Sequence, residues 1–196
     1  MNKIKNFFSH IRTVYTHRRW VRYYCFKAGL YKQGLTHDLS KYSPTEFFES
    51  IKYYTGNSSP IDVCKKEKGY SAAWMHHRGR NRHHYEFWLD NFDNGGEALI
   101  MPYKYALEMV CDNLGASRAY NGKDFNYKGV LDWWNKKKSK PLAMHPANQI
   151  FVTNMFKALV DCETKEDIKN ILRKKSLELY WRSIVDWENS NKKEKN

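Results

Sequence analysis

The sequence predicts an all-α fold, one compact helical domain over residues 1–188 followed by a disordered basic tail at 189–196. Apolar residues recur at helical spacing through its long segments, helix-start signals stand ahead of several of them, and no stretch sustains strand-like alternation. A chain of 196 residues is also the size of one domain that buries most of its apolar surface.

Residues 3–28 carry Ile4, Phe7, Ile11, Val14, Val21 and Cys25 at spacings of three, four or seven, with His17 on the same stripe and Gly29 as the stop. A short helix before Ser40 carries His37 and Asp38 near its end. In SPTE at 43–46, Ser43 is the N-cap, Pro44 takes the first helical position and Glu46 completes a capping box. Gly56 to Pro60 is the clearest loop. A long helix is expected from near Tyr70 to about Asn91, ended by the turn at Asn94-Gly95-Gly96. Pro102 opens a helix carrying Glu108 and Asp112, with Gly115 near its end. Further helices are expected over 125–138, over 146–160 behind Pro146, and over 165–188 behind Thr164, whose first turn is acidic.

Aromatic residues make up 16% of the chain against modest aliphatic content, so the core is expected to be built largely from rings whose N–H and O–H groups need partners. Cys25, Cys64, Cys111 and Cys162 stand singly, with no C-x-x-C pair, and read as reduced. No secretory leader and no membrane-length apolar run is present, so the expected location is cytoplasmic and no membrane partner is expected. A net charge of +13 favours anionic partners, although much of the excess sits in runs such as KKKSK at 136–140 that read as a solvated face.

The histidines are the chemical signal. His37 is followed at once by Asp38, and WMHHRGRNRHHYEFW at 74–88 holds two more pairs. On one continuous helix Trp74, His77, Asn81, His84 and Trp88 share a face, and His76, Arg80 and His83 fall on the adjacent stripe. That spacing puts His77 and His84 about 10 Å apart along the axis, too far to grip one ion unaided. Metal sites in helical proteins draw ligands from several helices. His17, His37, Asp38, the 70–91 histidines and Asp112 are the candidates. Imidazole mixed with carboxylate suits one or two divalent ions of Mn, Fe, Ni, Co or Zn. Against this, a lone histidine on an apolar face is commonly a hydrogen-bonded core residue, and histidine pairs in a basic, aromatic helix also suit a surface or a nucleic-acid contact.

RRWVRYYCFKAGL, HDLSKYSPTEFF, HHRGRNRHHYEFW, MPYKYALEMVCDNLGASRAYNGK and KSKPLAMHP resemble the uncharacterised family called domain of unknown function 5662, to about residue 160. More distantly, the order His17, His37-Asp38, the pairs at 76–77 and 83–84, then Asp112 resembles the HD-domain metal-dependent phosphohydrolases, which are all-α. THDLSK is similar to the HD-I-G-K signature of one branch, with Lys41 as its lysine. No GYP motif follows. The HD resemblance implies hydrolysis of a nucleotide or other phosphoester, in which the ions acidify a water and clamp phosphoryl oxygens. It implies Asp38 as a bridging ligand, His17, His37 and Asp112 around a first ion, and His77, His83 or His84 around a second. Lys41, Arg80 and Arg82 would neutralise phosphate. His76, Glu86, Glu108 and His145 would stand behind the ligands. Glu86 would orient a histidine. Glu108 is either such a partner or half of a surface pair. His145 either reaches the site or caps the helix that Pro146 opens, and capping is preferred. The competing readings are a non-catalytic nucleic-acid-binding protein and a phage–host interaction protein with a structural metal or none. The sequence leaves the oligomeric state open.

Overall fold

The computed structural model describes residues 3–56, 58–90, 92–162 and 164–194. Its helices are α1 (Lys3–Ala28), α2 (Tyr31–Thr36), α3 (Pro44–Lys52), α4 (Pro60–Lys68), α5 (Ala72–Arg80), α6 (Tyr103–Asn121), α7 (Tyr127–Lys138), α8 (Pro146–Val160), α9 (Lys165–Asn170) and α10 (Ser176–Glu194). A 3₁₀ turn over Leu39–Tyr42 joins α2 to α3, and five residues of π-helix join α9 to α10. The fold is all-α, as the sequence predicts.

The most extensive packing is between α1 and α6, which lie along each other and bury Val21, Tyr24 and Cys25 against Leu107, Val110, Cys111 and Leu114. On the far side of α6, α8 adds Phe151, Met155 and Leu159, with Trp134 of α7 and Leu172 completing the core. Two of the large core rings have their polar tips satisfied. Trp134 Nε1 donates to Thr153 Oγ1 at 2.9 Å, and Tyr180 Oη donates to the Met101 carbonyl at 2.7 Å. Of the α1 stripe, Val14, Val21, Cys25 and His17 are buried, whereas Phe7 is exposed. The side chain of Ile4, Asn91 and the last two residues of the expected tail lie outside the described residues.

Gly115 sits inside α6 rather than near its end, because the helix continues to Asn121. Its role is close approach. A Cβ built there would stand 2.5 Å from Val21 Cγ2 and 2.7 Å from the Val21 backbone nitrogen. A helix backbone cannot give way as a flexible side chain can, so Gly115→Ala must push α1 from α6. The expected cost is about 1–3 kcal/mol, and a fall in Tm of roughly 2–10 °C in a thermal melt checks it.

Several expected boundaries differ. Residues 60–68 form α4, opened by Pro60 at its first turn and closed by Gly69 at φ 80°. The expected helix over 70–91 stops at Arg80. Asn81 turns its side chain back on the helix, its Nδ2 donating to the His77 carbonyl at 2.8 Å and to Ser40 Oγ at 2.7 Å, so the chain leaves the axis there. Beyond it come a 3₁₀ turn over Tyr85–Trp88 and a two-residue ribbon, β1 (Leu89–Asp90) antiparallel to β2 (Glu97–Ala98). The final helix runs on to Glu194, into the stretch expected as tail.

Candidate metal centre

His37 and Asp38 lie just past α2 rather than inside a helix. Arg18 of α1 fixes that turn, donating from Nε to the His37 carbonyl at 2.8 Å and from Nη2 to that of Leu35 at 3.1 Å. Asp38 takes a left-handed conformation, φ 54°, which short polar side chains tolerate better than most. The consequence is direction: both oxygens of Asp38, 1% exposed, point into the protein.

Each oxygen meets a different set of nitrogens. Asp38 Oδ2 lies 3.2 Å from His17 Nε2 and 3.5 Å from His37 Nε2, and Asp112 Oδ1 of α6 lies 3.2 and 3.3 Å from the same two atoms. Asp38 Oδ1 lies 3.3 Å from His77 Nε2 and 3.4 Å from His83 Nε2. His84 joins this second group, whose donor atoms all lie within 4.8 Å of one another. The break at Asn81 makes the second group possible. Instead of standing two helical turns apart, the His77 and His84 rings meet at 4.7 Å and those of His83 and His84 at 4.3 Å, which overturns the separation expected on a straight helix.

The far sides of these rings are held by carboxylates. Glu108 Oε1 sits 3.0 Å from His37 Nδ1 and 3.3 Å from His83 Nδ1, so one residue of α6 orients a ring in each group. Glu46 of α3 does the same for His77 at 2.7 Å and also contacts His76 at 2.6 Å. Ser43 Oγ accepts from the Glu46 backbone N–H at 3.4 Å, but the Glu46 carboxylate serves the histidines rather than closing a capping box. With Nδ1 of His37 and His77 facing a carboxylate, Nε2 is left to the interior, the arrangement in which an imidazole presents a lone pair.

The electrostatics of the cluster call for positive charge. Four carboxylates, Asp38, Asp112, Glu46 and Glu108, meet these histidines, and among the described residues the ammonium of Lys41 lies 3.0 Å from Asp38 Oδ2. Burial opposes charge on His37, yet Asp38, Asp112 and Glu108 raise its pKa to about 10. Burial and the neighbouring His83 and His77 push His84 well below the usual histidine range. Asp112 and Asp38 are held well below the usual carboxylate range despite burial, Asp112 chiefly by His17 and His37, Asp38 chiefly by His37 and Lys41. Asp38 Oδ1, His83 Nε2 and His84 Nε2 are buried without a hydrogen-bond partner among the described residues; the 3.3–3.4 Å contacts of Asp38 Oδ1 lack hydrogen-bond geometry. Orphaned buried acceptors converging on one point fit a cation. The donors are nitrogen and oxygen only. Cys25, nearby on α1, hydrogen-bonds Cys111, and that contact with burial pushes its thiol up and keeps it protonated.

A cavity of about 770 Å³ opens onto His17, Asp38, Lys41, His77, His84 and Asp112. Arg80 and Arg82 do not line it. They border a separate recess of about 370 Å³, where Arg82 donates to Tyr105 Oη at 3.1 Å. Glu86 lines the large cavity and orients no histidine among the described residues, and His145 caps α8, its Nδ1 accepting from the Ala147 N–H at 3.2 Å, with its ring against Trp187. Glu46 and Arg18 were not among the sequence candidates. Glu46 reads as a helix cap and Arg18 as one basic residue among many, and neither carries a local signal of its role.

His10, also on the cavity wall, is 6% exposed and its Nε2 has no partner among the described residues. Burial, then the charge of Lys41, lowers its pKa to about 4. A histidine taking a proton at 6.5 when unfolded and only near 4 when folded stabilises the fold fully above 6.5. That contribution is lost as pH falls from 6.5 to about 4, because the unfolded chain binds the proton first. Urea titrations across this range are expected to show a shallower loss for His10→Phe than for the wild type.

Together, the fold and the site define an all-helical protein with buried His/Asp groups able to hold metal. A family model, Family of unknown function (DUF5662), matches residues 6–158, and the chain belongs to that family. No curated protein and no solved structure matched the chain. No helix among the described residues is long and apolar enough to cross a membrane.

Proposed function

We propose that the two groups hold a pair of divalent transition-metal ions, Mn, Fe, Co, Ni or Zn, bridged by Asp38, and that the protein hydrolyses a nucleotide or other phosphoester in the adjoining cavity. The observation that carries this reading is that the two oxygens of one buried carboxylate head two separate groups of ligand nitrogens. The succession His17, His37-Asp38, His77, His83-His84, Asp112 around these groups supports an HD-domain-like arrangement. Nitrogen and carboxylate donors fit this class of metal, and such ions supply an acidified water and charge neutralisation for phosphoryl oxygens.

The chain's own residues do the rest. Glu108 and Glu46 hold the imidazoles so that Nε2 faces inward. Lys41, kept charged by Asp38 although burial opposes it, faces the cavity and is placed to neutralise a phosphate oxygen. Arg80 and Arg82, outside the cavity, are assigned no such contact. A non-catalytic nucleic-acid reading draws on a basic recess at Arg19, Arg22, Lys27, Lys169 and Arg173, and it predicts binding that falls steeply with salt and survives chelation. The deciding experiment is elemental analysis of protein purified without a histidine tag, before and after incubation with each metal, followed by a phosphoester screen. Metal uptake with metal-dependent turnover is expected. A folded protein that takes up none overturns the proposal.

A further inference from the structure

The large cavity has a second polar station on its wall, beginning at Tyr85, one residue past His84. Lys137 of α7 lies on its wall with Nζ 5.1 Å from the Tyr85 ring centroid and 5.4 Å from that of Trp133, touching rings rather than a carboxylate among the described residues. Beside Tyr85 is Glu86, also on the wall, whose Oε2 is buried without a hydrogen-bond partner among the described residues. Trp133 is 47% exposed.

Each of these features is costly alone. Burial lowers the Lys137 pKa, only partly opposed by Glu86 and Asp112, so the ammonium is held where its charge is disfavoured. An unpartnered buried carboxylate oxygen carries a similar penalty. A ligand offering an acceptor to Lys137, N–H donors to Glu86 and a flat face to Trp133 relieves all three.

We infer that Lys137, Glu86, Tyr85 and Trp133 form a nucleobase-recognition station, so that the cavity takes a nucleoside phosphate with its base here and its phosphate toward the His/Asp groups. The assignment of the phosphate end rests on the function proposed above. The base end rests on this station alone. Every base carries a donor beside an acceptor, but guanine sets two N–H groups next to a carbonyl and so meets a carboxylate flanked by an ammonium most fully. Stacking on Trp133 adds affinity for any base.

The test uses the full chain and probes that need no metal. Guanosine, adenosine, cytidine and ribose are titrated into metal-free protein, followed by tryptophan fluorescence and calorimetry. The same titration is repeated with Glu86→Gln and Lys137→Met after circular dichroism shows them folded. Saturable binding is expected with guanosine tightest and ribose silent. Each variant should weaken guanosine by about tenfold or more, since hydrogen bonds to charged groups are lost. Nucleosides binding no better than ribose, or binding equally well to both variants, overturns the station. Metal-dependent binding of ribose 5-phosphate in the same protein would then show that the phosphoester reading survives without it. Variant-sensitive guanosine binding in protein that takes up no metal would establish the station and remove the hydrolase.

Discussion

Asp38→Ala is expected to lose metal from both groups at once, whereas removing any other ligand weakens the group to which it belongs. The reason is the division of labour between its oxygens, Oδ2 toward His17 and His37 and Oδ1 toward His77 and His83. The fall in affinity should exceed the roughly 10–100-fold cost of losing a partner that only orients a ligand. A confounding effect must be separated. Asp38 has φ 54°, where alanine is strained by about 1–2 kcal/mol, and the substitution also removes the partner of Lys41. Asp38→Asn is the control, because asparagine tolerates the left-handed region and keeps the shape, while its neutral amide has a single oxygen and cannot bridge. Elemental analysis of both variants decides. If Asp38→Asn retains two ions per chain at wild-type affinity, the bridge is wrong; if only Asp38→Ala loses metal and is also unfolded, strain rather than ligation explains the loss.

How much of this was legible in the sequence depended on whether the signal was local. Helix starts were local: Pro44, Pro146 and the Thr164 cap, whose hydroxyl and Asp167 form a capping box, all stand at helix starts in the fold. The long α1 stripe and the order of His17, His37-Asp38 and Asp112 were legible for the same reason, since chain order survives folding. The geometry of the histidine pairs was not. A helical pattern through residues 74–88 is self-consistent, and what breaks it is the capture of Asn81 by Ser40, a contact forty-one residues away in the chain. Once the chain turns there, His83 packs against both His37 and Glu108, at 4.3 Å from the His37 ring centroid, and the spacing argument against a shared site dissolves. The role of Glu46 is hidden in the sequence for a related reason. Its position three residues after Ser43 fits a cap, and only the approach of α5 shows that its carboxylate has stronger partners in His76 and His77. Gly115 likewise reads as a helix end until α1 is seen against it.

Glu108→Gln is expected to weaken both metal groups together, while Glu46→Gln weakens only the one containing His77. Glu108 Oε1 is the shared acceptor for His37 Nδ1 at 3.0 Å and His83 Nδ1 at 3.3 Å, a third cluster of possible ligands in itself, and of the two groups that Asp38 heads His37 belongs to one and His83 to the other. Glu46 contacts His77 and His76, and of these only His77 is in a group. Glutamine keeps the volume of the buried side chain, so packing is little changed, but it replaces a charged acceptor with a neutral one and frees the ring to turn or switch tautomer. A loss of about 10–100-fold in affinity is expected for each group so affected. Titration with Co(II) against a competing chelator resolves the two sites as separate steps. In Glu108→Gln both steps should move to higher metal concentration; in Glu46→Gln one should stay where the wild type has it. A Glu108→Gln protein with one step unmoved would mean that the two groups are oriented independently, and that the single α6 carboxylate does not couple them.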